Sequence, residues 1–246
     1  MKQKNIKKYK STRKYKSTRK YKGGKNMKIN ICIGFHGQLR TFIKNAEKLK
    51  SQIINNDENK NYIVLLSTWK TENIKDFKKI FPNSIIKQYD EEIENNIKWD
   101  NKSKLNSTNN HKSILNFWKY QKSLENLGFL INEYETTNNI QFDIILRIRP
   151  DVTISDNIFP FYDKVESNKI YVASEPRYDL YNKGAYPDFF AFGKNKEMKN
   201  ILNGIHVIEK GLHEPHVFHP ETSMYGIIKY FKYDAVYIPI NVNKLL

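Results

Sequence analysis

The chain has 246 residues, with 42 Lys or Arg against 26 Asp or Glu, a formal charge of +16 and a single cysteine. That length allows one sizeable α/β core or two small ones, and one cysteine excludes both an internal disulfide and a cysteine-built metal cluster. The charge is local: residues 1–30 hold thirteen Lys or Arg and no acid, so the other 29 basic and 26 acidic residues leave the body at only +3.

Residues 1–27 form the first unit. The hexamer YKSTRK occurs at 9–14 and again at 15–20, and a third copy begins at Tyr21. A charge-dense repeat with no apolar face buries nothing, so a disordered tail is expected, joined to the rest through Gly23 and Gly24. Its cations and Tyr9, Tyr15 and Tyr21 suit contact with nucleic acid or another anionic surface; a merely solubilising extension fits as well. The N-terminus lacks the apolar segment of a secretory signal. The longest apolar runs, YIVLL and FDIIL, are far too short to span a membrane, so no transmembrane segment is expected. Cys32 lies in the apolar run INICIGF and reads as a small core residue. A reducing, cytoplasmic setting follows.

Beyond the tail, Lys28–Phe35 reads as a strand buried on both faces. The turn His36-Gly37-Gln38-Leu39-Arg40-Thr41 leads to a helix over about 41–54. A second strand spans Asn61–Ser67 and is followed by Trp69. A short helix near 73–80 and a weaker strand at Ser84–Tyr89 come next. Residues 90–110 suggest an irregular excursion. A helix over about 111–127 carries an apolar stripe through Ile114, Leu115, Trp118, Leu124 and Leu127. Strands are expected at Phe142–Ile148, Lys169–Ala173, Phe189–Phe192 and Ala235–Ile238, and helices over about 195–209 and 221–231. Strands alternate with helices early and less regularly later, which predicts an α/β fold with a nucleotide-binding half followed by an acceptor-binding half.

The most informative stretch is FDIILRIRPDVTI, 142–154. Arg147 and Arg149 alternate along a strand and so point to one side. Pro150 interrupts the ladder and Asp151 follows. Charge at the end of a buried strand is costly unless it is used, and the C-terminal ends of strands are where α/β proteins bind ligands. Two cations suit a phosphate; one carboxylate suits a metal or a sugar hydroxyl. In the first turn, Gly37 permits a tight or left-handed bend, amides at the following helix start suit a phosphate, and Arg40 is placed to clamp it. His36 is either a ligand contact or a packed residue. Trp69 either stacks on a base or sugar or fills the core rim. Asp188 is a loop carboxylate before an apolar strand, placed to contact a sugar hydroxyl or act as a base, or else an ordinary turn residue. Three histidines, His213, His216 and His219, invite a zinc site, but two prolines in HEPHVFHPE oppose a regular helical arrangement. His219 and Glu221, beside Pro220 at a helix start, are the better candidates for acceptor binding or general base chemistry.

These segments, in this order, resemble a loose family of GT-A-like glycosyltransferases found in giant DNA viruses, bacteria and algae. The likeness rests on a G-x-x-R turn (Gly37 to Arg40), a strand ending in Trp69, R-x-R-P-D (Arg147 to Asp151), D-x-F-x-x-G (Asp188 to Gly193) and H-P-E (His219 to Glu221), and covers roughly 28–240. It implies a GT-A-like nucleotide-diphospho-sugar transferase fold with a mixed, mostly parallel sheet over 28–246, with a donor-binding half at 28–154 and an acceptor-binding half at 155–246. It implies transfer of a sugar from a nucleotide-sugar donor to a glycan or protein acceptor. His36, Gly37, Arg40, Trp69, Arg147, Arg149 and Asp151 would serve the donor, and Glu221, Asp188 and His219 the catalytic step. In such folds a D-x-D pair holds Mn²⁺ or Mg²⁺ against the donor diphosphate. Here R-x-R-P-D stands in that place, leaving Asp151 as the metal candidate. The Asn/Ile/Lys/Tyr bias and the resemblance together fit a giant-virus gene product in host cytoplasm, or one associated with the virion. The competing reading is a nucleic-acid-associated or virion structural protein on a degenerate transferase fold, with the basic tail as its working part.

Overall fold

The computed structural model describes residues 28–70, 72–90, 111–173, 177–178, 184–209 and 220–244. The basic tail, most of the 90–110 excursion and the histidine segment with His213, His216 and His219 lie outside the described residues.

The mostly apolar run INICIGFH, broken only by Asn30 and closed by His36, forms β1 (Ile29–His36), whose last six residues are buried. It pairs in parallel with β2 (Lys60–Trp69) on one side and β4 (Ile144–Ile148) on the other. β3 (Ile85–Tyr89) extends the sheet beyond β2, again in parallel. Beyond β4 lie β9 (Phe190–Lys194), antiparallel to it, then β6 (Lys169–Val172) and the edge strand β10 (Asp234–Tyr237). The seven strands run β3-β2-β1-β4-β9-β6-β10. The result is a mixed, mostly parallel sheet in an α/β fold; the alternation of segments predicts the α/β class.

The chain leaves β1 toward β2 and β3, then returns to place β4 on β1's other side. The C-terminal ends of β1 and β4 therefore lie at a topological switch point, the place where open α/β sheets take ligands. Side-chain alternation divides the strands between two apolar layers. Ile31, Ile33 and Phe35 of β1 and Ile144, Leu146 and Ile148 of β4 face a layer with Phe42, Phe77 and Phe81. Cys32 and Ile145 face the opposite layer, built with Phe117, Leu124, Leu127 and Met198.

The first layer is covered by a short 3₁₀ turn (Phe42–Lys44), α1 (Ala46–Ile53) and α2 (Lys75–Ile80). A single helix over 41–54 was the expectation; the chain instead breaks at Asn45. The opposite layer is covered by α3 (His111–Asn138), α5 (Asn195–Leu202), α6 (Ile205–Glu209) and α7 (Pro220–Tyr230), while α4 (Phe159–Tyr162) is a single turn on the first side. α3 runs eleven residues past the expected end at 127. Gly128 is a close-approach position, not a stop: a Cβ there would lie 3.3 Å from Leu202 Cβ and 3.1 Å from Asn203 Oδ1. Conversely, the helix expected over 195–209 is two helices. They meet at Gly204, where a Cβ would fall 2.3 Å from Ile227 Cδ1. Small pairs complete the fold: β5 (Val152–Ile154) with β11 (Val242–Lys244), and β7 (Arg177–Tyr178) with β8 (Gly184–Ala185). Among the described residues no helix is long and apolar enough to cross a membrane.

Candidate functional site at the ends of strands β1 and β4

Arg147 shares the face of Ile145, and His36 shares that of Cys32, so both point toward α3. The β1–β4 register pairs Gly34 with Arg147 and Phe35 with Ile148, which sets His36 level with Arg149 two residues beyond the first pair. Leu127 packs on Gly34, where a Cβ would come within 2.9 Å of Leu127 Cδ2. One and two turns earlier on the same stripe, α3 presents Ser123 and Tyr120. The helix thus sets an apolar turn over the strand middle and a polar turn over the strand ends.

Arg147 is fully buried (0% exposed). Its guanidinium donates from Nη1 to the Tyr120 hydroxyl (3.1 Å) and to the Asp188 carbonyl (2.6 Å), and Nη2 lies 3.5 Å from Met224 Sδ. Its Nε has no partner, and no carboxylate pairs with it among the described residues. The Tyr120 hydroxyl also donates to the Asp188 carbonyl at 2.9 Å. Burial raises the Tyr120 pKa, so the phenol stays protonated and able to donate.

Arg149 lies further out, with 21% of its side chain exposed. It grips Asp151 through Nε–Oδ1 (2.9 Å) and Nη2–Oδ2 (2.6 Å), and its Nη1 reaches Asp188 Oδ2 at 3.2 Å. Burial works against its charge, but the two carboxylates outweigh burial and raise its pKa. The same-side placement expected for the two arginines is what the geometry contains: both engage Asp188, Arg147 at its carbonyl and Arg149 at its carboxylate. β4 and the Asp188 loop are held further by the Arg149 N–H donating to the Phe189 carbonyl at 3.0 Å.

His36 is fully buried. Ser123 Oγ donates to the Tyr120 carbonyl (2.7 Å) and lies 3.1 Å from His36 Nδ1. With its proton directed at that carbonyl, Ser123 Oγ is placed to accept from Nδ1, and Nε2 has no partner among the described residues. Burial, then the Arg147 and Arg149 charges, push the His36 pKa well below the usual value, so the ring is neutral.

The first turn departs from the phosphate-cradle expectation. Gly37 has φ +94°, as its left-handed bend requires, and is pinned to β2 by its N–H to the Ser67 carbonyl (3.1 Å) and by Thr68 Oγ1 to its own carbonyl (2.8 Å). No α-helix starts there, and the Leu39 N–H donates to the Glu72 carboxylate at 3.0 Å, so an internal anion already holds that amide. Arg40 is exposed, and among the described residues no hydrogen bond or ion pair joins it to the Arg149 cluster. Trp69 is buried in the α3-side layer. Glu221 opens α7, half-buried; its carbonyl accepts the Tyr186 N–H at 3.1 Å, which ties the helix start to the strand leading to Asp188. The structure therefore gathers His36, Arg147, Arg149, Asp151 and Asp188, brings the backbone of Glu221 near, packs Trp69 into the α3-side layer and leaves Arg40 exposed. Sequence reasoning missed Tyr120, Ser123 and Met224. A polar pair three residues apart within the α3 apolar stripe, between Trp118 and Leu124, is the available signal.

The divalent ion that the family resemblance implies does not fit these residues as they stand. Both Asp151 oxygens and one Asp188 oxygen already accept from Arg149. No group of three His, Cys, Asp or Glu able to hold a metal occurs among the described residues.

No protein-family model matches the chain, and no curated protein matches it in sequence. Among solved structures it is similar to the crystal structure of mouse Xyloside xylosyltransferase 1 in its apo form, with 9% identity, 85% of each chain covered and a TM-score of 0.41. A likeness at that level assigns no residue a role.

Proposed function

We propose that this protein is a glycosyltransferase that binds a nucleotide-sugar donor at the C-terminal ends of β1 and β4 and passes the sugar to an acceptor hydroxyl. The observation that carries the reading is the Arg149–Asp151–Asp188 cluster at the sheet's switch point, backed by a second, buried guanidinium. Partly exposed cationic donors at that place suit the negative oxygens of a diphosphate, and they are held rigid, which is what stabilising a leaving phosphate asks of them. The ordered motifs from Gly37 to Glu221 support the same reading.

Asp188 is the leading acceptor-side carboxylate. Its Oδ1 accepts no hydrogen bond among the described residues, while its carbonyl and Oδ2 are fixed by Tyr120, Arg147 and Arg149. Glu221 remains the second candidate base, its carboxylate making no pair among the described residues, and His219 a third from the adjoining segment. The basic tail would take no part in the chemistry and would serve contact with a polyanion.

A thermal-shift panel of nucleotide-sugars, free nucleotides and duplex DNA tests this. Stabilisation by one nucleotide-sugar and its nucleoside diphosphate, retained after residues 1–26 are deleted, is the expected result. Stabilisation by DNA alone, lost with the tail, would favour a nucleic-acid-associated protein instead.

A further inference from the structure

We infer that the Arg149 guanidinium is the resident cation of this site, and that the site takes a nucleoside diphosphate without a divalent ion. This rests on the donor-binding role proposed above.

Two carboxylates, Asp151 and Asp188, are bridged by one guanidinium whose fork faces both oxygens of Asp151. Mg²⁺ or Mn²⁺ requires several oxygen ligands at short range, carboxylates among them. To seat one here, Arg149 would have to leave Asp151. The displaced guanidinium would then stand beside both a dication and the buried Arg147. Charge balance points the same way. Arg147 and Arg149 supply two positive charges against the two carboxylates, the sum a divalent ion would otherwise contribute. Geometry leaves capacity for a ligand. A guanidinium has five N–H bonds, and the contacts to Asp151 and Asp188 use three, so two remain on a side chain that is still partly exposed. A planar fork matches phosphate oxygens as well as carboxylate oxygens. Fixed in place by two aspartates, it needs no reorganisation when the anion arrives.

The test uses the full chain and two readouts, the electron paramagnetic resonance signal of free Mn²⁺ and the affinity for a nucleoside diphosphate in EDTA or in Mn²⁺. Wild type is expected to leave the Mn²⁺ signal undiminished. Its nucleotide affinity should agree in the two buffers within about twofold, a negligible free-energy difference. Arg149→Ala, which releases both carboxylates, should take up Mn²⁺ at least about tenfold more tightly than wild type. If Arg149→Ala does not fold, Arg149→Gln, which keeps much of the volume but not the charge, is read in its place. Nucleotide binding that requires Mn²⁺, or Mn²⁺ uptake by wild type that Asp151→Asn abolishes, would overturn the inference while leaving the glycosyltransferase reading intact. No nucleotide binding in either buffer would sink that reading. A silent wild type and an Mn²⁺-binding Arg149→Ala would then still support the cation assignment.

Discussion

Arg149 holds Asp151, two residues along the chain, by two roughly parallel bonds, Nε to Oδ1 at 2.9 Å and Nη2 to Oδ2 at 2.6 Å. Pro150 lies between them and provides no N–H of its own. The strand therefore ends by folding its own carboxylate back onto its last cation. The same guanidinium reaches Asp188 across the neck of the β4–β9 pair. Removing it leaves two largely buried carboxylates without their cation. Arg149→Ala is expected to lower unfolding free energy by about 2–4 kcal/mol, read from the urea midpoint. Arg149→Lys should recover only part of that, because a point charge cannot make the paired contacts. Equal stability of all three proteins would contradict the structural account of the cluster.

Tyr120→Phe isolates the hydroxyl that bridges Arg147 and the Asp188 carbonyl. Both partners are buried, and Arg147 already has an unpartnered Nε. A loss of about 1–2 kcal/mol is expected, together with reduced donor turnover, since the Asp188 loop loses a restraint. Unchanged turnover in a folded Tyr120→Phe would remove the positioning role.

His36 gives the fold a pH dependence of definite sign. Its folded-state pKa is held well below 6.5, first by burial and then by the two arginines. As pH falls, the unfolded chain therefore takes up this proton before the folded chain does. Its contribution is intact above about pH 6.5 and is lost progressively below that, at up to about 1.4 kcal/mol per pH unit. Urea midpoints between pH 7.5 and pH 5.5 should fall for wild type and fall less for His36→Asn. Parallel slopes for the two proteins would show that another group carries the effect.

Deleting residues 1–26 removes twelve Lys or Arg and no acid. Retention on a polyanion column should drop sharply, and the salt dependence of retention should flatten. Donor turnover per folded molecule should not change. A large fall in turnover would place part of the site in the tail.

Much of the sheet was legible because its strands are apolar runs bounded by turn residues. INICIGF, YIVLL and FDIIL fell where β1, β2 and β4 lie. Gly128, just past the expected helix end at 127, is where α3 presses against Leu202 and Asn203, and Gly204 interrupts a segment whose pattern reads as one helix. Short strands such as β5 and β11 pair only with each other across the chain, a long-range contact that no local pattern carries. At the site, alternation placed Arg147 and Arg149 on one side. It carried no information on depth, so a wholly buried Arg147 and a partly exposed Arg149 look equivalent in sequence. In the first turn, local pattern shows free helix-start amides because the carboxylate that holds the Leu39 N–H comes from Glu72, 33 residues away. Tyr120 was missed because its importance comes from where α3 crosses the strand ends.

The most direct measurement is turnover of a nucleotide-sugar panel, by transfer or by slow hydrolysis, with wild type, Arg149→Lys and Arg149→Ala side by side. The account predicts that wild type consumes one donor class. Arg149→Ala should be slower by about 2–4 kcal/mol in activation free energy, with Arg149→Lys between them. A wild type inert toward every nucleotide-sugar, or an Arg149→Ala protein as fast as wild type, would contradict it.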